Sequence, residues 1–380
     1  MEAKTTNTIK AVLVLIVVAQ HLCFAIWSSL YFDPVISALM IFRGDVAVGC
    51  LFLLSGYVVA KYATIKKNVW IMDRLGRLIV PMIAAFLLMY VCYKIGAGNW
   101  GVKLSSMGYE WGYVSPIGFF DDLSIQDVLA SFLLQLVGFN DQLVLVAWLL
   151  RHELILSLTI FAIIGGVSKS RKYKNEIILA SLLLMLIISF YFKFGFGIHS
   201  AFYLGAVIFF INRIQSTLRK VIPIECFIAL SFFVYTLVVI NSMQSDEWRV
   251  ELISNNLAWL VLLLTDVRYF TFSLALPFIA FVTLVITKKS SMVDGFLEWL
   301  GGRSYSVYLV SQFAIQIVAM VVYKVGAYVP SIVFAGLVLA LTLIMAEIFY
   351  RIIEVPSKHI ISNLKLGDLN VWNKFRFKKA

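Results

Sequence analysis

A histidine lies in the middle of the first long apolar stretch of the chain, Thr8–Leu30. Lys10 precedes His21 by eleven residues. On a helix this spacing covers roughly 16 Å, about half of a bilayer's hydrocarbon core, and returns to nearly the same face. An ionisable side chain at that depth is costly unless it is used. The spacing predicts a membrane helix with a cation at its inner end and, near its centre, an imidazole that can act as a general base.

Three consecutive ionisable residues, Arg151, His152 and Glu153, interrupt a later apolar stretch. Consecutive helix positions point about 100° apart. We therefore predict that the three side chains cannot satisfy one another, and that each needs a partner on another helix or a water-filled cavity. Glu153 beside His21 would fix the imidazole tautomer and stabilise the imidazolium. The alternative is a buried ion-pair network of Arg151 and Glu153 that holds helices together.

Small and polar residues approach the second apolar stretch from its outer end. Arg43 and Asp45 stand at the predicted outer rim, where an acceptor substrate would arrive. Gly44, Gly49 and Gly56 permit close helix approach, and Ser55 adds a polar group inside the membrane. Ser55 is a candidate hydrogen-bond donor to substrate, or it serves only helix packing.

Two arginines open the third apolar stretch. Arg74 and Arg77 are i, i+3 neighbours at a predicted cytoplasmic helix start, an arrangement that can grip a phosphate. Positive charge of the inner loops is the alternative explanation.

Two further polar motifs lie near the end of the chain. Tyr305 lies in the polar start of the ninth apolar stretch. Glu347, Arg351 and Glu354 follow at i, i+4, i+7, and we predict that they share one helix face.

Composition indicates an all-α integral membrane protein. Of the 380 residues, 61% are hydrophobic and only 14% are charged. The net charge of +11 does not indicate nucleic-acid binding, because the basic residues cluster in alternate loops, as the positive-inside rule predicts. The four cysteines lie in apolar segments without metal-ligand spacing, so we predict neither disulfides nor a metal site.

We predict about ten transmembrane helices in a single domain, residues 1–356, with a short basic tail, 357–380. Most of the 32 Lys and Arg residues fall in alternate loops that place both termini in the cytoplasm. Residues 123–139 suit an amphipathic interfacial or re-entrant helix, and 255–266 are too short to span alone. The outer loop 97–141, rich in aromatic and acidic residues, is either a sugar-binding surface or an interfacial aromatic belt. The predicted spans are 9–30, 45–63, 78–96, 142–165, 176–193, 196–212, 221–241, 268–287, 304–324 and 328–350.

Six short motifs occur in order along these spans. In the first span, a basic residue is followed after ten residues by His. A Gly-rich sequence precedes Ser-Gly in the second span, and Arg-x-x-Arg-x-x-x-Pro precedes the third span. Trp-x-Leu-x-x-Glu in the fourth, Gly-x-x-Ser-Tyr-Ser-x-Tyr-Leu in the ninth and Arg-x-x-Glu-x-Pro closing the tenth complete the set. The pattern resembles the acyltransferase-3 family of integral membrane O-acyltransferases, over nearly the whole chain.

The resemblance implies transfer of an acyl group, usually acetyl, from cytoplasmic acetyl-CoA to a hydroxyl of a cell-surface or lipid-linked polysaccharide, in a bacterial inner membrane. It implies that His21 is catalytic and that Arg74 and Arg77 contribute to donor binding. Lys10 stands where an arginine is usual, which replaces a bidentate grip on phosphate by a point charge. Glu153, Ser55 and Tyr305 are further matched positions.

The residues themselves are consistent with this chemistry. Neutral His21 would take the proton of an acceptor hydroxyl as it attacks the thioester, and Glu153 would stabilise the imidazolium. Ser55, Tyr305 or Arg151 would donate to the oxyanion. An acyl-histidine relay is a second route. The alternative function is a proton-coupled secondary transporter that uses His21, Arg151 and Glu153 as its relay.

Overall fold

The structure, a computed structural model, describes ten helices and confirms the all-α prediction for the ranges it covers. These ranges are 3–25, 44–65, 69–97, 123–137, 144, 147–167, 174–191, 198–214, 291–326 and 329–357. The helices are α1 (Ala3–Ala25), α2 (Gly44–Ile65), α3 (Val69–Lys94), α4 (Ile125–Val137), α5 (Ala147–Gly166), α6 (Lys174–Tyr191), α7 (Ile198–Ile214), α8 (Ser291–Gly302), α9 (Ser304–Val325) and α10 (Ser331–Phe349).

Five apolar segments in these ranges are long enough to cross a bilayer, and they lie in α2, α3, α5, α9 and α10. The predicted spans 221–241 and 268–287, the segment 255–266 and almost all of the basic tail lie outside the described residues. The count of ten spans and the cytoplasmic termini therefore stay predictions.

The 123–139 region contains one short helix, α4, of 13 residues. Ser124 and Asp127 form a capping box at its start: the Asp127 amide donates to Ser124 Oγ, and Asp127 Oδ2 accepts from the Ser124 amide and hydroxyl. Leu129 and Leu133 are about half exposed. The length is too short for a span and suits the predicted interfacial or re-entrant helix.

Helix α9 lies at the centre of the described bundle. Most of its side chains are buried, and it packs against α1, α3 and α10. Helix α1 also packs against α2 and α8, while α2 packs against α5 and α7. Of the helices that carry His21, Ser55, Arg74 and Glu153, α1 and α3 pack directly against α9, while α2 packs against α1 and α5 packs against α2 and α3.

A close helix crossing joins α2 and α7 through two glycines. A Cβ atom on Gly56 would lie 1.9 Å from the carbonyl oxygen of Phe202, and one on Gly205 would lie 2.0 Å from that of Leu53. Backbones can approach this closely only where no side chain separates them. Close packing at Gly56 therefore sets the position of the neighbouring Ser55.

A partly buried cation anchors the α8–α9 corner to α10. The Arg303 guanidinium lies between the rings of Trp299 and Tyr350, 4.7 and 4.6 Å from their centroids. It forms a bidentate ion pair with Glu347 and donates to the carbonyl of Trp299. This contact was not predicted from the sequence, where Arg303 is one more inner-loop charge.

The prediction that Glu347, Arg351 and Glu354 share one face is wrong. Glu347 pairs with Arg351 at i, i+4 as expected, but the Arg351 side chain is exposed while Glu354 is buried and accepts from Ser306 Oγ at 2.7 Å. Residues Tyr350–Glu354 form a π-helical turn. The wider turn changes the angle between successive residues, so Glu354 faces the interior.

We predict that Gly205→Ala destabilises the bundle. The new methyl group would meet backbone atoms of α2, which cannot move without separating the two helices, so the free energy of unfolding should fall by about 3 kcal/mol. The measurement is the thermal midpoint of purified protein in detergent.

Gly336→Ala is the matched control, because a Cβ atom there meets nothing within 4 Å. Its better helix propensity should leave the midpoint unchanged or slightly raised. Equal midpoints for the two variants would contradict the crossing.

Candidate functional site

A cavity of about 430 Å³ opens among the helices that carry the sequence motifs. Its walls come from α1, α2, α3, α5, the α8–α9 corner and the π-helical turn. One corner is closed tightly, since a Cβ atom on Gly301 would lie 1.8 Å from the carbonyl oxygen of Asn7. The polar residues that line the cavity include Lys10, Ser55, Arg74, Arg77, Glu153, Tyr305, Tyr308 and Glu354.

The three basic residues predicted to bind a donor line this one cavity. Lys10 comes from α1, while Arg74 and Arg77 come from the first turns of α3. Arg77 is exposed and Arg74 is partly buried. Cationic side chains around a part-open cavity attract an anionic ligand and hold it at the mouth.

Arg74, Ser55 and Glu153 form a hydrogen-bonded triad in the cavity wall. Arg74 Nη2 donates to Ser55 Oγ at 2.7 Å and forms an ion pair with Glu153 Oε1. Ser55 Oγ donates to the same carboxylate oxygen at 2.5 Å. The Arg74 and Glu153 side chains are 19% and 18% exposed, so the pair is largely withdrawn from water. Three helices, α2, α3 and α5, therefore meet at one neutralised charge.

His21 lies beside the cavity but is paired differently from the prediction. Its Nδ1 atom is 3.2 Å from Ser311 Oγ on α9, and its ring is 6.0 Å from that of Tyr308, which lines the cavity. Among the described residues, Glu153 contacts Arg74 and Ser55 instead of His21. The predicted His21–Glu153 pair is wrong, because a full cation within reach attracts the carboxylate more strongly than a neutral imidazole.

Tyr305 reaches the cavity with its hydroxyl already in use. Its hydroxyl donates to the carbonyl of Leu78 on α3 at 3.1 Å. The next residue, Ser306, donates to the cavity carboxylate Glu354 at 2.7 Å. Both contacts fix α9 relative to the other walls of the cavity. Tyr305 can donate to a substrate oxygen only by giving up the Leu78 carbonyl.

Arg151 and His152 belong to a second polar cluster that does not line the cavity. Arg151 Nη2 lies 3.3 Å from His152 Nε2, and His152 Nδ1 lies 2.7 Å from Nε2 of His199 on α7. The prediction that neighbours in this run cannot satisfy one another is wrong for this pair, because the long arginine side chain bridges the angle between the two positions. His152 and Glu153 do find partners on other helices, as predicted.

The predicted outer rim remains a prediction. Arg43 lies outside the described residues, and Asp45 falls in the first turn of α2. Of the loop 97–141, the structure describes Ala97 and residues 123–137, which include all of α4, so the sugar-binding surface and the aromatic belt both stay open.

Sequence reasoning missed Ser311, Tyr308 and His199 as partners of the predicted residues. Ser311 and Tyr308 do carry a weak signal, since with Tyr305 they recur every three residues along the first turns of α9. Nothing in the sequence marks His199, because its partner is 47 residues away.

The chain was compared with known families, curated proteins and solved structures. A family described as an acyltransferase domain, the acyltransferase-3 family, matches residues 6–351. The searches of curated proteins and of solved structures gave no match. The family match takes in α1 to α10 and every motif described above except Pro356 and Glu354 at the end of the last one. This multi-pass membrane chain belongs to the acyltransferase-3 family.

Proposed function

We propose that this protein transfers an acyl group, most simply acetyl, from cytoplasmic acyl-CoA to a hydroxyl of a cell-surface or lipid-linked polysaccharide across a bacterial inner membrane. The observation that carries the proposal is the cavity: three cations line it, and its Tyr308 wall contacts the ring of the one histidine of α1. Family membership supports the reaction class.

The donor would bind with its charged and slender parts separated. A cavity of about 430 Å³ suits a ligand of drug-like size, such as the acyl-pantetheine arm, and not the whole of coenzyme A. The phosphates and adenosine would stay at the mouth, beside Lys10 and Arg77. The thioester would then lie at the inner end of the arm, towards Tyr308 and His21.

His21 would act as the general base. It takes the proton of the acceptor hydroxyl as that oxygen attacks the thioester carbonyl, so a C–O bond forms and the C–S bond breaks. The imidazolium then returns the proton to the departing thiolate. In the acyl-histidine alternative the ring nitrogen attacks the thioester first and displaces the thiolate. The acceptor hydroxyl then attacks the acyl group and frees the imidazole, and the hydroxyl proton passes to the thiolate.

Arg74 is the best-placed donor for negative charge that develops in the cavity. Ser55 and Tyr305 already donate to Glu153 and Leu78, whereas Arg74 lines the cavity and has N–H groups beyond the Nη2 group that pairs with Ser55 and Glu153. Glu153 holds the guanidinium in place, and a pre-positioned donor needs no rearrangement when the oxyanion forms. This assigns to Arg74 the role first predicted for Ser55, Tyr305 or Arg151.

We predict that His21→Ala abolishes acyl transfer. Inverted membrane vesicles would be given radiolabelled acetyl-CoA, and label in the polysaccharide fraction would be counted before and after mild base, which cleaves O-esters. Label should appear with wild-type protein, be released by base and fall by 10²-fold or more in the variant, the range expected for loss of a general base.

His359→Ala is the matched control, a histidine in the predicted basic tail, and it should transfer label as wild type does. Both variants must elute as folded protein in detergent size exclusion. Full transfer by His21→Ala would contradict the proposal. If the wild-type protein shows no acyl transfer but does show proton-coupled flux, the alternative function of a secondary transporter is favoured.

We predict that Glu153→Gln impairs both stability and transfer. The amide cannot neutralise Arg74, so a largely buried guanidinium is left without its counter-ion, at a cost of about 1–3 kcal/mol in unfolding free energy. The rate of transfer at saturating acyl-CoA should fall roughly tenfold, because the Arg74 guanidinium is no longer fixed as a hydrogen-bond donor to the oxyanion.

Exposed Glu176 on α6 supplies the control, and Glu176→Gln should match wild type in thermal midpoint and in rate. A Glu153→Gln protein with unchanged midpoint and unchanged rate would show that the triad has no role in either.

A further inference from the structure

We infer that Ser311 is a positioning residue for His21: its hydroxyl holds the imidazole in the tautomer that carries its proton on Nδ1, so that Nε2 carries the reactive lone pair. The catalytic meaning of this inference rests on the proposed function. The tautomer itself is a property of the resting protein and can be measured without any substrate.

The direction of the hydrogen bonds at Ser311 follows from a local contact on α9. Ser311 is completely buried, and its Oγ donates to the backbone carbonyl of Tyr308, three residues earlier, at 2.9 Å. A serine hydroxyl has one proton and two lone pairs, while a carbonyl can only accept. Two oxygens at this distance would repel without the proton between them, so the proton of Ser311 is committed to the carbonyl.

The same oxygen lies 3.2 Å from Nδ1 of His21. With its only proton engaged, Ser311 Oγ can only accept in this second contact, so Nδ1 must be the donor. A neutral imidazole carries one N–H, which leaves Nε2 unprotonated. The geometry therefore selects one of the two tautomers and, with it, the nitrogen that can take a proton.

Tyr308 connects this arrangement to the cavity. Its carbonyl accepts from Ser311, its ring lies 6.0 Å from the His21 ring at an angle of 44°, and its side chain lines the cavity. One residue thus holds the hydroxyl that sets the tautomer and also forms the wall between donor cavity and base. When Nε2 takes a proton, Nδ1–H keeps its bond to Ser311, so the ring need not turn.

Ser311 takes over one of the roles that the sequence predicted for Glu153, the orientation of the imidazole. Glu153 neutralises Arg74 in the cavity wall, and the buried hydroxyl of Ser311 orients the histidine. A neutral acceptor suffices for orientation, because tautomer choice requires only a lone pair at Nδ1–H.

The direct test is nitrogen NMR of protein labelled with ¹⁵N-histidine, in detergent and at a pH where the ring is neutral. The chain has four histidines, and the His21 signals are those that disappear in His21→Ala. We expect a pyrrole-type Nδ1 signal and a pyridine-type Nε2 signal for wild type. In Ser311→Ala we expect signals of mixed tautomers. The opposite pattern in wild type, with the proton on Nε2, would overturn the inference.

Kinetics then test whether the tautomer matters. Ser311→Ala should lower kcat about tenfold, the size expected for one lost hydrogen bond, with an unchanged KM for acetyl-CoA. Ser311→Thr keeps the hydroxyl, which in a helix bonds back to the preceding turn, and should restore both the tautomer and most of the rate. Ser157→Ala is the control, a buried serine on α5 whose hydroxyl has no hydrogen bond within the described residues.

The outcomes separate this inference from the proposed function. Wild-type NMR showing Nδ1–H supports the inference even if no transfer is found, and that failure falls on the function alone. Transfer that depends on His21, together with an unchanged spectrum and kcat in Ser311→Ala, overturns the inference and leaves the function intact. If Ser311→Ala does not fold, the wild-type spectrum decides.

Discussion

The described structure depends on one buried charge. Arg74 at the start of α3 points into the bundle, and a guanidinium there is tolerated only with a carboxylate beside it. Glu153 on α5 supplies that charge and Ser55 on α2 shares the carboxylate oxygen. The requirement to neutralise one cation therefore brings three helices together, and the cavity forms where they meet.

Glycines make this meeting possible without belonging to the chemistry. Gly56 follows Ser55 and lets α2 touch the backbone of α7, so the serine is held at a fixed depth. At the far corner Gly301 touches the carbonyl of Asn7 and brings the α8–α9 corner against α1. Arg303, held between two aromatic rings and Glu347, fixes the same corner to α10.

The polar groups of the bundle lie in two places, the lining of the cavity and the surroundings of His21. Cations and the Arg74–Glu153–Ser55 triad line the cavity, while His21 lies beside Tyr308 with only a hydroxyl partner at Nδ1. This separation suits the proposed reaction, in which the cavity cations would bind the anionic donor and His21 would take the proton. The cluster of Arg151, His152 and His199 lies apart from both.

The sequence by itself determined the class of the protein, the helical character of its described spans and six of the residues that line the cavity. These follow from local properties: hydrophobic length, charge in alternate loops, and the cost of an ionisable group inside a membrane. Lys10, Ser55, Arg74, Arg77, Glu153 and Tyr305 were identified for that reason. Only the tertiary structure decided which polar groups contact each other. Partners such as Ser311 and His199 lie on other helices, and the sequence does not specify how each helix is rotated about its axis in the bundle. The tertiary structure pairs Glu153 with Arg74 and Ser311 with His21. At the π-helical turn, Glu354 is buried and Arg351 is exposed, since a single wider turn changes which residues share a face.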